Sequence, residues 1–176
     1  MRDVRDLVRQ LSDEVREEVG AAWDPARLKD ALHRHLQGER VIIVANREPY
    51  IHHFTPEGAV EVRHPASGLV TALEPVMRAC SGVWVAHGSG DADRETADAE
   101  GRLRVPPGEE SYTLRRVWLT AAQERGYYYG FSNEGLWPLC HVAHTRPVFR
   151  SADWEHYREV NEAFAEAVAA EAEQDD

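Results

Sequence analysis

Cysteine is scarce in this sequence. Its two, Cys80 and Cys140, lie far apart and match no metal-ligand or redox spacing, so no disulfide framework organises the chain. Both thiols are expected to be reduced, in a cytoplasmic setting. Long apolar runs are missing too: none approaches the roughly 20 residues that a membrane span needs. The opening Met1-Arg2-Asp3-Val4-Arg5-Asp6 is charged and mixed, without the apolar stretch of a secretory leader. Net positive charge is absent, and a formal charge of -11 argues against nucleic acid or an anionic membrane as partner. Lysine is almost absent as well. Of 20 basic residues only Lys29 is a lysine, which leaves arginine as the cation available to clamp an anion bidentately.

What is present suits one soluble domain. The 176 residues are enough for a real core, with 43% hydrophobic and 29% charged residues. Val4, Leu7, Val8, Leu11, Val15 and Val19 follow helical spacing up to Gly20. Asp24-Pro25 offers an N-cap and a first-turn proline for a second helix, which carries Leu28, Ala31, Leu32 and Leu36 and closes at Gly38. Residues 1–40 therefore read as a helical N-terminal extension, and residues 41–176 as the domain proper.

At Val41-Ile42-Ile43-Val44-Ala45 the pattern changes to a β-branched run, expected to be a strand buried on both faces. Gly58 to Val62 reads as a short hairpin arm. A helix is expected from Ser67-Gly68-Leu69 through Cys80, with Pro75 limiting its regularity. Gly82 to Ala86 is a second buried strand, and Asp91 to Glu110 a loop or hairpin. Thr113 to Leu119 is a third strand, Asn133 to His141 a short helix, and Trp154 to Ala170 a long one. This alternation is that of a doubly wound α/β sheet.

Polar groups gather at three places: Asn46-Arg47 at a strand end, Ser67-Gly68 at a helix start, and Tyr127-Tyr128-Tyr129-Gly130-Phe131-Ser132-Asn133 running into Leu136-Trp137-Pro138. Open α/β sheets bind ligands at the carboxyl ends of their strands. An arginine there can hold a phosphate. A glycine at a helix start lets backbone N–H groups approach anionic oxygens. Tyrosine and tryptophan rings combine a flat apolar face with a hydrogen-bonding edge, as a sugar requires. On spacing alone the solvated-arginine and aromatic-core readings outweigh a ligand site. His141 and His144, even with His52-His53, place no third ligand, so no metal is expected. Cys140 sits among apolar neighbours and reads as packing.

VIIVANR (Val41 to Arg47), Ser67-Gly68-Leu69 with Ala72-Leu73, Val83-Trp84 with Ser89-Gly90, and YYYGFSNEGLWPLCH (Tyr127 to His141) resemble the trehalose-6-phosphate synthase family of glycosyltransferases. Trp154-x-x-Tyr157-x-x-Val160-Asn161-x-x-Phe164-Ala165 is similar to the helix that follows in that family. The resemblance runs in order from Val41 to about Val168, and FSN-x-x-LWP is its most specific signature.

It implies a Rossmann-like N-terminal domain of the GT-B type, mostly parallel, in an enzyme of two such domains. The implied reaction transfers glucose from UDP-glucose to glucose 6-phosphate with retention of configuration, without a cofactor. By position, Arg47, Tyr128 and Trp137 would bind glucose 6-phosphate. Gly68 would lie in the donor-facing loop, and Asn46 would support Arg47. The family's C-terminal donor-binding domain has no counterpart in these residues. The chain is therefore expected to meet UDP-glucose only with that domain and to be catalytically incompetent alone. An apolar face left uncovered would favour a homo-oligomer.

Departures from the family pattern open two other readings. Ser67 replaces a glycine, and Glu48 to His53 form a variant loop, which admits an acceptor such as glycerol 3-phosphate or a cyclitol phosphate. Acceptor residues without donor residues also suit a non-catalytic sugar-phosphate-binding or regulatory module.

Overall fold

A computed structural model describes residues 24–36, 39–141 and 144–172; the helix expected between Val4 and Val19 lies outside them. Pro25–Leu36 is helix α1, entered through Asp24, whose side chain accepts from the Arg27 amide at 2.8 Å. A cavity lined by Leu32 and Leu36 of α1 and by Ala79 and Cys80 shows where α1 meets the end of the next helix.

Ile42–Val44 is β1, and a hairpin of β2 (Ile51–Phe54) and β3 (Val60–Arg63) follows, antiparallel and apart from the main sheet. Helix α2 is Gly68–Cys80, continuous through Pro75 and ended by Ser81 in the left-handed region (φ 54°). Strand β4 is Val83–His87. The stretch expected to be a loop or hairpin contains a short helix α3 (Asp93–Thr96) and strand β5 (Arg102–Val105), which returns as a hairpin into β6 (Tyr112–Val117).

The main sheet runs β1-β4-β6-β5, with β1, β4 and β6 parallel and β5 antiparallel at the far edge. Strand β4 is the buried one on both faces: all five of its residues are buried, with Trp84 and Ala86 on one side and Val83 and Val85 on the other. The expectation of the same for β1 fails, because β1 is the sheet edge and Val44 is half exposed. A β-branched run reports strand preference, but only pairing decides which strand lies in the middle.

Two cores sandwich the sheet. Val70 and Met77 of α2 pack with Tyr50, Trp84, Tyr112 and Leu114 on one face. The other face is covered by helix α6, Ser151–Ala172, through Val160, Phe164 and Ala167 against Val83, Val85 and Val117.

Between β6 and α6 the chain is helical throughout residues 121–140, far beyond the short helix expected at Asn133 to His141. Helix α4 (Ala121–Glu124) opens it with a capping box of Thr120 and Gln123. A π-helical segment, Arg125–Leu136, carries it on to α5, Trp137–Cys140. The wider π turn shows in the Trp137 amide, which donates to the Ser132 carbonyl five residues back. Gly126, Gly130 and Gly135 each sit where a side chain would collide with a neighbour. A Cβ would lie 2.3 Å from His156, 2.5 Å from Asp153 and 2.5 Å from Phe149 respectively. The glycines let the segment lie against α6 and the turn that precedes it.

Candidate functional site

The parallel strands β1 and β4 end side by side, which brings the turns after them together. The Ala45 amide donates to the Val85 carbonyl at 3.0 Å and the His87 amide to the Asn46 carbonyl at 3.3 Å. The indole of the buried Trp84 donates to the Arg47 carbonyl at 3.1 Å, so a core residue fixes the backbone from which Arg47 projects. Over this edge lies a cleft of about 200 Å³, lined by Asn46, Arg47, Ser89, Glu124, Tyr128 and Tyr129 among others. Arg47 is exposed, and its guanidinium makes no hydrogen bond or ion pair among the described residues. The side-chain oxygen of Asn46 is buried and has no hydrogen-bond partner among them. An arginine without a protein partner, two phenols and an unsatisfied amide oxygen form a set that can take a polyhydroxylated anion.

The floor is a buried charge cluster centred on Arg116, which is fully buried on β6. Its Nε donates to Glu48 at 2.9 Å, and Nη1 donates to the Asp93 carbonyl at 2.9 Å and the Thr96 hydroxyl at 3.0 Å. Nη2 lies 2.8 Å from the Asp93 carboxylate and donates to the Tyr50 carbonyl at 3.1 Å. Nη2 also donates to His52 Nδ1 at 2.7 Å, which makes that ring nitrogen an acceptor. Glu48 Oε1 in turn accepts from the Ser89 amide at 2.8 Å and hydroxyl at 3.0 Å. Asp93 accepts from the amides of His52 at 2.8 Å and Gly90 at 2.7 Å. One guanidinium thus ties β6 to the turn after β1, to β2 and to α3, and through Glu48 to the turn after β4.

Gly90 has no room for a side chain here: a Cβ would stand 2.2 Å from the His52 carbonyl and 2.9 Å from Asp93 Oδ1. Gly90→Ala is expected to destabilise the fold by about 1–3 kcal/mol, as overpacking against backbone does. Urea unfolding of the variant checks it.

The two carboxyl groups on Arg116 are driven apart. Burial, then the neighbouring Asp93, pushes Glu48 up from 4.5 to about 8. Asp93, though burial opposes it, is drawn down to about 2 by hydrogen bonds from His52 and Glu48 and by Arg116. Between pH 4.5 and about 8 the unfolded chain ionises Glu48 while the folded chain keeps its proton, so this group lowers stability as pH rises. Asp93 acts oppositely, stabilising above its unfolded 3.8 and losing that contribution as pH falls toward 2. The thermal midpoint is accordingly expected to decline from pH 5.5 to pH 8. A midpoint that climbs over that interval would contradict the assignment.

Of the residues expected at a site, the structure brings Asn46, Arg47 and Tyr128 together in one cleft. It does not bring Gly68 or Trp137 to that lining. Gly68 opens α2 and is exposed, with open space around it. Trp137 begins α5, is 56% exposed and stacks on the His141 ring at 3.3 Å between centroids. Sequence reasoning gave no role to Asp93 or Arg116, and it named Glu48 only as part of a variant loop and Ser89 only within the family resemblance. For Arg116 a signal existed: Tyr112, Leu114 and Arg116 alternate along β6 on one face, and all three are buried. Among the described residues no group of three or more histidine, cysteine, aspartate or glutamate side chains is gathered for a metal ion. No described helix is long and apolar enough to cross a membrane.

Residues 39–176 match the model of glycosyltransferase family 20. The trehalose-6-phosphate synthase of Mycolicibacterium gilvum (strain PYR-GCK) is 40% identical over 131 residues, covering 74% of this chain and 25% of that protein. The synthase of Mycobacterium ulcerans (strain Agy99) is 38% identical over 132 residues, covering 74% and 25%. Among solved structures, an α,α-trehalose-phosphate synthase (UDP-forming) from Burkholderia vietnamiensis superposes with a TM-score of 0.51 at 28% identity. The match covers 74% of this chain and 24% of that one. An E. coli protein described as bound with UDP-2-fluoro glucose gives a TM-score of 0.51 at 25% identity, covering 75% and 25%. This chain thus spans about a quarter of the length of the relatives it matches.

Proposed function

The chain belongs to glycosyltransferase family 20, and from that premise we propose that it forms the acceptor side of a trehalose-6-phosphate synthase-type site, taking glucose 6-phosphate into the cleft at Arg47. The observation that carries this reading is the meeting of the unpartnered Arg47 guanidinium, the unsatisfied Asn46 oxygen and Tyr128 at the carboxyl ends of parallel strands. Arg47 holds the phosphate, Tyr128 donates its hydroxyl to the same group, and Asn46 keeps the strand-end turn in place. Trp137, which stands outside the cleft in this chain, meets the sugar and Gly68 faces the donor only in the assembled enzyme. The reaction is transfer of glucose from UDP-glucose with retention of configuration. Residues 41–176 form part of one acceptor-binding domain, and residues 1–40 are an appendage to it.

Holding donor against acceptor supplies much of the rate in a two-substrate transfer. Tested by themselves, these 176 residues, about a quarter of the length of their relatives, are expected to bind sugar phosphate weakly and to release no UDP from UDP-glucose and glucose 6-phosphate in a coupled assay. Full turnover by the isolated chain would overturn that half of the reading. Calorimetry with glucose 6-phosphate tests the other half. Binding by the wild type that Arg47→Ala weakens supports it, and equal binding by both, or by neither, rejects it.

The same cleft supports a second reading, a non-catalytic sugar-phosphate-binding or regulatory module. The variant residues Glu48 to His53, of which Glu48, Tyr50 and His52 meet Arg116 in the cleft floor, keep open another acceptor of the same charge, glycerol 3-phosphate or a cyclitol phosphate. A binding panel of these phosphates separates the acceptors.

A further inference from the structure

The cleft that receives Arg47 stands on a floor with an uneven charge count. Glu48, Asp93 and Arg116 are each no more than 2% exposed, and two carboxyl groups share one guanidinium. With both carboxyls ionised the cluster would hold one uncompensated negative charge, away from water, directly under the place proposed for an anion. Such a charge is costly unless it is paired or neutralised. The two carboxyls are not equivalent. Asp93 accepts two backbone amides from the protein side and also pairs with Nη2 of Arg116. Glu48 is the one that reaches the cleft: it lines it beside Arg47, and its Oε1 is held by Ser89, another lining residue.

We propose that Glu48 determines the charge selectivity of the acceptor cleft: carrying a proton, it leaves the floor neutral and admits a phosphate dianion beside Arg47, and without the proton it repels one. This rests on the reading of the cleft as a sugar-phosphate site.

The surroundings of Glu48 restrict what else could titrate there. From β6 it meets Arg116, and from α3 the Asp93 carboxylate. From β2, His52 sets Nδ1 2.7 Å from the same guanidinium and 3.4 Å from the Asp93 carboxylate. His87 from β4, Glu124 from α4, Tyr128 and Tyr129 from the π-helical segment, and Arg47 are the other ionisable residues of the lining. Burial, followed by the closeness of Asp93, pushes Glu48 up to about 8, so its proton is present at neutral pH and leaves just above it. A sugar phosphate has its second ionisation near pH 6, so from pH 7 upward the ligand is a dianion throughout. Proton loss from Glu48 then acts on binding alone. Binding at pH 8.5 must conversely draw a proton onto the protein, because the dianion favours the neutral floor.

The experiment titrates glucose 6-phosphate calorimetrically into wild type and Glu48→Gln at pH 7.0 and pH 9.0. Wild-type affinity is expected to fall about tenfold between the two, the scale of one added charge at close range in a partly dry site. The Glu48→Gln variant, neutral at both, should change less than twofold. A second measurement needs the wild type alone and stands even where the variant does not fold. Enthalpies at pH 8.5 in two buffers of different ionisation enthalpy should show net proton uptake on binding. Parallel pH profiles of wild type and variant, or no uptake by the wild type, overturn the role of Glu48 and leave the acceptor site intact. Absence of wild-type binding at both pH values overturns the acceptor reading and this inference with it.

Discussion

Replacing Arg116 by methionine is expected to cost about 3–5 kcal/mol of folding stability, the usual loss when one member of a buried ion pair is removed and its partners stay behind. Methionine fills much of the same volume, so little of that loss comes from a cavity. It comes from Glu48 and Asp93, left facing each other in a buried site, together with the Tyr50 and Asp93 carbonyls and the Thr96 hydroxyl, each of which loses a donor. Because a domain is stable by only about 5–15 kcal/mol, the variant should show a large drop in its urea midpoint or fail to fold. Adding Asp93→Asn to it should recover part of the loss, since the stranded carboxylate charge is then removed. If Arg116→Met unfolds at the wild-type urea concentration, the cluster is not what joins the loops beneath the cleft.

The second large effect concerns binding. On the acceptor reading, Arg47→Ala is expected to weaken glucose 6-phosphate by roughly 10- to 150-fold, corresponding to the 1.5–3 kcal/mol of a hydrogen bond between charged groups. Stability should hardly change, because the Arg47 side chain is exposed and only its carbonyl is held, by Trp84. Arg47→Lys distinguishes charge from geometry. Lysine keeps the cation and loses the planar fork, so an intermediate loss is expected. Equal affinity of Arg47→Ala and wild type would place the phosphate elsewhere.

Much of the frame was legible in the amino-acid order. Asp24-Pro25 marked the start of α1, and the Ser67-Gly68 step marked the start of α2. Val83-Trp84-Val85 marked the central strand, and Val160 and Phe164 marked the inward face of α6. Each is a local signal, a cap or a periodicity, and survives without knowledge of the partner. The misses were of another kind. Strand β2 carries His52-His53, which look like surface or ligand residues, yet His52 is buried because Arg116 needs its Nδ1. Strand β5 lies in a charged stretch whose arginines include Arg102, paired with the buried Glu171 of α6 at 2.7 Å. The π-helical segment was given no element before Asn133, and the small size of its three glycines serves contact with α6 and the stretch before it.

For the cleft, the order of residues by itself determined which groups stand at the strand ends, Asn46 and Arg47, and which aromatic run accompanies them. The FSN-x-x-LWP pattern gave the family, since so specific a string does not need coordinates to be read. Only the tertiary structure decided that Tyr128 and Arg47 line one cleft while Trp137 and Gly68 stand away from that lining, and that Glu48 belongs to the floor. The physical reason is the range of the interactions. Caps and periodicities act over a few residues, whereas one buried guanidinium joins Glu48, Tyr50, His52 and Asp93 from β6. Which charges meet in the dry interior depends on how strands pair, and there each polar group must find a partner wherever the chain has brought one.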